Sequence, residues 1–271
     1  MNLTRYRARH AAPTPVGLRR LRAGSAILAV AVVATACSPT PSSTTVAATS
    51  PASTPSSGLQ SSFVSTVQKV LPSVVEIETS TDLGSGIVFD NAGDIVTNDH
   101  VVGTATSFSV RVNGSKTPLS ATLVGTYPAS DLAVIRAKST TPLTPAKFNT
   151  TGTLQIGDVV LAMGNPLGLK GSVSEGIISA TGRTVTEPTG QGSPGATLTG
   201  VIQTSAAINP GNSGGALVNL AGDVVGIPTL TATDSQIGGA APGIGFAIPS
   251  STVTAVAQQL IISGHVTSPP N

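Results

Sequence analysis

Seven residues, Asn209-Pro210-Gly211-Asn212-Ser213-Gly214-Gly215, hold a serine inside a glycine-rich stretch. A serine hydroxyl is a poor nucleophile until a base takes its proton and the backbone presents it at a tight turn. Glycines on both sides let the chain fold closely there. They also let the amides of Gly211 and Ser213 converge on one point, as stabilisation of a developing oxyanion requires. The chemistry of such a set is acyl transfer through a covalent acyl-enzyme. A glycine-rich turn with an incidental serine is the plainer reading, so the assignment depends on partners. The chain has three histidines. His10 sits in a basic leader and His265 in the tail, which leaves His100 as the base. It follows Asp94-Ile-Val-Thr97 and is expected at a strand end, with its ring facing a cleft. The carboxylate that must orient the imidazole and stabilise the imidazolium is assigned to Asp131, which opens the apolar run Leu132-Ala133-Val134-Ile135. Asp158, in Ile156-Gly157-Asp158-Val159, reads as a turn residue. Asp99 is set aside because neighbouring strand residues point to opposite faces.

The elements that must position these groups are short. Only 10% of the 271 residues are charged and 39% are hydrophobic, with 30 Gly and 20 Pro, which suits strands and turns better than helices. Apolar runs at Val74–Ile77, Gly86–Phe89, Asp94–Thr97, Phe108–Val112 and Leu132–Arg136 alternate with Gly, Asn, Asp and Pro. Val159–Met163, Ile177–Ala180, Val201–Thr204, Ala216–Val218 and Val224–Ile227 continue the pattern. Many short strands with regular turn signals indicate an all-β antiparallel barrel or sandwich. Gly86-Ile-Val-Phe-Asp-Asn-Ala-Gly93-Asp94-Ile-Val96 aligns without a gap with Gly215-Ala-Leu-Val-Asn-Leu-Ala-Gly222-Asp223-Val-Val225, offset by 129 positions. Hairpins favour these residues, so the echo can arise by chance or mark two similar halves. Two barrels, at about 74–150 and 155–250, would accommodate it. A short helix is expected over Phe63, Val64, Val67, Val70 and Leu71, stopped by Pro72, and a second over Thr252–Ile262, stopped at Gly264.

The first 37 residues read as an export signal: six arginines, then an apolar run from Ala23 to Ala36 too short for the roughly 20 residues a bilayer needs. Ala34-Thr35-Ala36-Cys37 resembles a bacterial lipobox, in which Cys37 would be lipidated; an ordinary signal peptide with an incidental cysteine is the alternative. Arg19-Arg20 hints at twin-arginine export, but its flanks fit poorly. Cys37 is the only cysteine, so no intramolecular disulfide can form. Residues 38–58 are almost entirely Ser, Thr, Pro and Ala, too poor in apolar side chains to offset chain entropy, and read as a disordered spacer. The folded domain is placed at 59–264, with a tail at 265–271. Past Cys37 eight basic and twelve acidic groups remain, a net charge near −4, which disfavours a nucleic-acid partner. Neither a Cys/His ligand set nor a phosphate-cradling Gly-Lys-Ser/Thr loop is present, so no metal or other cofactor is expected.

The order His, Asp, Ser is that of chymotrypsin. Thr97-Asn-Asp-His-Val-Val102, Ser130-Asp-Leu-Ala-Val-Ile135, Gly164-Asn-Pro-Leu-Gly168, Gly176-Ile-Ile-Ser-Ala180, Gln203–Leu217 and Gly243-Ile-Gly-Phe-Ala-Ile-Pro249 resemble the HtrA family, in order, from about Leu59 to Gly264. The resemblance implies a chymotrypsin-like double β-barrel, with His100 and Asp131 in the first barrel and Ser213 in the second. It further implies ATP-independent cleavage of unfolded or misfolded exported proteins, and it favours a homotrimer. Family members usually carry PDZ domains after the Ile248-Pro249 block; about twenty residues follow here, so none is expected. Ser205 and Asp99 depart from the common residues, and Thr79–Leu83 is short where some relatives carry a long regulatory loop. By the same resemblance, Ala206, Ala207 and Ile208 line the pocket for the side chain before the cut. They offer no carboxylate, which argues against Arg or Lys there and for a small aliphatic residue. Val225, Gly226 and Ile227, in Val225–Thr229, are expected to form the edge strand that pairs with substrate. A surface-tethered chaperone-like or peptide-binding module without turnover is the alternative function.

Overall fold

The structure, a computed structural model, describes residues 55–112, 115, 117–165, 171–186, 195–209, 211–234 and 239–270. Expectations for Cys37, the leader and most of the spacer lie outside the described residues. Six antiparallel strands close a first barrel: β1 Val74–Glu78, β2 Leu83–Val88, β3 Asp94–Thr97, β4 Ser107–Val112, β5 Leu119–Tyr127 and β6 Leu132–Ala137, in the order β1-β2-β3-β6-β5-β4. A second sheet holds β7 Lys147–Phe148, β8 Val159–Gly164, β9 Ser172–Thr186, β10 Thr197–Thr204, β11 Ala216–Asn219, β12 Asp223–Asp234 and β13 Gly239–Pro249. Its order is β11-β8-β9-β10-β13-β12-β7, and β11 also pairs with β12, so all but the two-residue β7 close on themselves. Barrels therefore replace the barrel-or-sandwich alternative.

The apolar runs are continuous rather than alternating because many strands are covered on both faces. In the first barrel Val75, Ile77, Ile95, Val110 and Ile135 fill the interior, while Val74 and Ile87 pack with Leu161, Met163 and Val218 of the second. Val96, Leu132 and Val134 likewise meet Ile227, Ile248 and Leu260. Fully burying each such side chain stabilises by roughly 1.5–3 kcal/mol. Helix α3, Ser250–Ser263, lays Val253, Val256, Ala257 and Leu260 into this second contact. It ends where expected: Gly264 is left-handed and donates its amide to the Leu260 carbonyl at 2.8 Å. Helix α1, Pro55–Val70, begins inside the segment read as spacer and is followed by a 3-10 turn, Leu71–Ser73. Its anchoring is partly polar: Thr66 donates to the Leu220 carbonyl and Lys69 to that of Ala221.

The sequence echo is two turns closed by matching side-chain hydrogen bonds. Asp90 Oδ1 accepts the amides of Ala92 (2.9 Å) and Asp94 (3.1 Å). Asn219 Oδ1 accepts those of Ala221 and Asp223, both at 3.0 Å. Gly93 and Gly222 supply the left-handed residue in each.

Candidate active site

Residues from both barrels meet around Asp131. His100 lies on a one-turn helix, α2 (Asp99–Val102), directly after β3, and not on a strand end as expected. Thr97 ends the β3–β6 ladder opposite Ala133, and the chain passes through Asn98 into this single helical turn. Asp131 follows the 3-10 turn Pro128–Ser130 and has φ 49° and ψ 47°. Among the described residues it is the one non-glycine with positive φ. Such strain is found where function fixes a side chain.

The Asp131 carboxylate, 2% exposed, is held on several sides. It accepts the His100 backbone amide at 3.0 Å and contacts His100 Nδ1 at 3.0 Å through Oδ1 and 2.9 Å through Oδ2. The Thr229 hydroxyl donates to Oδ2. An ionised carboxylate can only accept, so Nδ1 carries the proton and Nε2 is left as the acceptor. The His100 side chain is 23% exposed, so the ring is partly open to solvent. Asn98 fixes the backbone beneath by donating its amide to the Asp131 carbonyl at 2.9 Å.

Ser213 sits between β10 and β11 on a turn with left-handed glycines at 211 (φ 102°) and 214 (φ 79°). Its hydroxyl donates to the Thr229 carbonyl at 3.2 Å. Thr229 thus touches both the carboxylate and the serine. Asn212 ties the turn together, accepting the Asn209 amide at 3.1 Å and donating to the Ala207 carbonyl at 3.0 Å. Among the described residues no acceptor engages the amide of Gly211 or Ser213. Those two N–H groups are therefore available to an incoming oxyanion.

Asp99 is the group that strand-based reasoning misplaced. On a helical turn it lies near both His100 and Asp131. It is buried, at 8% exposure. Burial, reinforced by the Asp131 charge, pushes its carboxyl up to about 6, against the opposing effects of His100 and a Thr126 hydrogen bond. A cavity of about 510 Å³ opens beside His100, lined in part by Ser80, Asp82, Asp99 and Ala105. Asp158 is the turn residue expected, accepting the Gln155 amide at 2.8 Å. Among the described residues no group of three or more His, Cys, Asp or Glu could hold a metal.

Ala206 and Ile208 are buried while Ala207 is exposed. The edge-strand expectation needs correction. Val225 and Ile227 are buried in the core, and Gly226 is flanked on both sides, by Leu217 of β11 and Pro249 of β13. No substrate strand can add there. The β11 register ends at Gly226, whereas β12 continues beside β13 through Pro228 and Thr231. Among the described residues, β12 has β13 as its one strand neighbour beyond Gly226, the stretch that carries Thr229 beside the serine. Thr229 as an orienting residue was missed; its one sequence signal is a hydroxyl at the end of Val225-Gly-Ile-Pro-Thr229.

The trypsin-like peptidase domain family matches residues 84–227, and the chain belongs to that family. Its relatives place it among the HtrA-type serine proteases, with their chymotrypsin-like fold. It is 43% identical over 192 residues to serine endoprotease DegS of Salmonella typhimurium, covering 71% of this chain and 51% of DegS. It is 41% identical over 219 residues to serine protease PepD of Mycobacterium tuberculosis, covering 72% and 46%. The solved structure of the HtrA-type protease AlgW with a tripeptide superposes with a TM-score of 0.66 at 38% identity, covering 75% of this chain and 65% of AlgW. The chain thus spans about half the length of the curated relatives it matches.

Proposed function

We propose that this protein is a serine endopeptidase of exported proteins, with Ser213 as nucleophile, His100 as base and Asp131 as orienting carboxylate. The observation that carries the reading is the buried Asp131 carboxylate contacting His100 Nδ1 at 2.9 Å, which assigns the Nδ1 proton and makes Nε2 the basic nitrogen of the ring. A substrate strand laid along β12 from Thr229 takes its carbonyl as a first acceptor and frees the Ser213 hydroxyl toward His100. Ser213 attacks the scissile carbonyl as His100 takes its proton, and the amides of Gly211 and Ser213 hold the oxyanion. The imidazolium returns the proton to the leaving amine; water, activated by the same ring, then hydrolyses the acyl-enzyme.

Buried Ala206 and Ile208 offer no charge to the residue before the cut, which supports a small aliphatic preference. Residues 1–37 export the chain, and Cys37 anchors it through lipid, with unfolded exported proteins as substrates and a trimer as the assembly. Replacing Cys37 by Ser should release an enzyme of unchanged activity from membranes; fractionation like the parent would refute the anchor. The catalytic assignment is tested by a fluorophosphonate probe and a denatured protein substrate. Wild type should be labelled and should cleave, and Ser213→Ala should do neither. Binding of the denatured protein without labelling or cleavage by wild type would instead establish a chaperone-like module.

A further inference from the structure

Ser85 belongs to β2 of the first barrel, yet two of its polar groups make three hydrogen bonds to the second. It is 0% exposed. Its amide donates to the Ser213 carbonyl at 3.0 Å. Its hydroxyl donates to the Gly211 carbonyl at 2.5 Å and accepts the Asn165 amide at 2.9 Å. Its own carbonyl accepts the Thr97 hydroxyl at 2.7 Å, which fixes Ser85 from behind.

Peptide planarity makes these contacts informative. A carbonyl and the next residue's amide move as one rigid plate. The Gly211–Asn212 plate is held at one end by Ser85 Oγ and at the other by the Asn212 amide donating to Asn209. The Ser213–Gly214 plate is held by the Ser85 amide and by the Gly214 amide donating to Pro228. Between them lies the plate that carries the Ser213 amide, whose carbonyl accepts the Gly215 amide at 3.0 Å. Gly211 is the loose joint of this assembly. At φ 102° it has no side chain to restrict it, so its orientation depends on what grips its carbonyl.

Resting on the assignment of Ser213 as nucleophile, we propose that Ser85 is a positioning residue. Its hydroxyl, reaching across from the first barrel, grips the Gly211 carbonyl and keeps the Gly211 and Ser213 amides aimed at the oxyanion. The two barrels are thereby coupled: the hole is complete only when β2 is docked on the nucleophile turn.

Ser85→Ala removes only the hydroxyl and leaves the backbone contacts. Kinetics on a chromogenic peptide, per active site titrated with fluorophosphonate, should show kcat lower by about 10- to 100-fold and KM nearly unchanged. That is a fraction of the 100- to 1,000-fold seen when an oxyanion donor is deleted outright. Affinity for a peptidyl aldehyde, which places a tetrahedral oxyanion in the hole, should fall in parallel. Affinity for the uncleaved peptide, measured in the Ser213→Ala background, should not change when Ser85→Ala is added. Ser85→Cys, similar in size and a weaker donor, should fall between and carries the same test if the alanine variant does not fold. A kcat within twofold of wild type in the variant that folds, or equal losses for aldehyde and uncleaved peptide, would overturn the proposal. Wild type that takes no probe at all would instead remove the nucleophile assignment, and this inference with it.

Discussion

Replacing Asp99 by Asn should make the protein more stable at neutral pH, although it deletes a charge beside the candidate active site. Burial and the neighbouring Asp131 raise the Asp99 carboxyl from 3.8 to about 6. Each pKa unit corresponds to about 1.36 kcal/mol, so two units cost the folded state up to ~3 kcal/mol once Asp99 is ionised. The sign follows from proton counting. Between pH 3.8 and about 6 the folded chain retains a proton that the unfolded chain has released. Stability therefore falls as pH rises through that window and stays lower above it. Asparagine keeps the shape and carries no proton to lose. The advantage of Asp99→Asn should be close to zero below pH 4 and largest above pH 7. Urea unfolding in a Ser213→Ala background, which avoids autolysis, reads this directly. At m of about 2 kcal/mol per molar, the midpoint should shift on the order of 1 M at pH 7.5. A shift of equal size at pH 4 and 7.5, or a variant less stable than its parent at pH 7.5, would refute the reasoning. In the active background the same loss of negative charge beside His100 should move the acid limb of kcat/KM to lower pH, because the Asp99 anion favours the imidazolium.

Thr229→Val deletes the hydroxyl that donates to Asp131 and little else; kcat/KM should fall about 10-fold, and an unchanged value would mean that the carboxylate is positioned without it. Asp131→Asn should lower kcat by roughly 10⁴, the scale set by the corresponding change in trypsin, with an intact fold because Asn tolerates the left-handed backbone at this position; a loss under tenfold would remove Asp131 from its role. Arg136→Ala leaves the Asp94 carboxylate, 0% exposed, without the guanidinium that binds it at 2.7 and 2.8 Å. That should cost about 2 kcal/mol at pH 7 and less near pH 4, because burial already raises the Asp94 carboxyl and protonation relieves the lost partner; equal costs at both pH values would contradict this.

The candidate site was legible where residue type is scarce. One histidine lies among the runs that read as strands, so His100 followed from counting. Asp131 followed from the buried strand it opens. What failed was geometry that depends on pairing. Asp99 was discarded by a rule for strands, but α2 turns the chain one residue after β3, and helical neighbours can both face one carboxylate. Family resemblance makes Val225–Ile227 an edge, but β12 changes partners part-way: β11 pairs with it up to Gly226, and β13 from Gly226 onward. Strand β13 escaped notice because Gly239, Gly243, Gly245 and Pro242 punctuate it. In β5 no apolar alternation runs through Leu119–Tyr127. Tertiary pairing supplies in both what propensity lacks.

The echo between the barrels explains why a first-barrel serine reaches the turn that carries Ser213. Counting by the same offset of 129, Asp90, Gly93 and Asp94 correspond to Asn219, Gly222 and Asp223, and the side-chain bonds that close the two turns correspond. Gly86 and Gly215, which open the two copies, are both hemmed in: a Cβ on Gly86 would meet Ile95 and Ile77, and one on Gly215 the carbonyls of Met163 and Asn212. Stepping back one residue in each copy gives Ser85 and Gly214. These equivalent positions touch, since a Cβ on Gly214 would collide with the Ser85 carbonyl and the Thr97 hydroxyl. The two hairpins therefore approach each other through matching points. At that contact one copy supplies a serine with a gripping hydroxyl, and the other supplies a glycine small enough to admit it. Ser213, immediately before that glycine, is held at the line where the barrels meet, its carbonyl on the Ser85 amide and its hydroxyl on the Thr229 carbonyl.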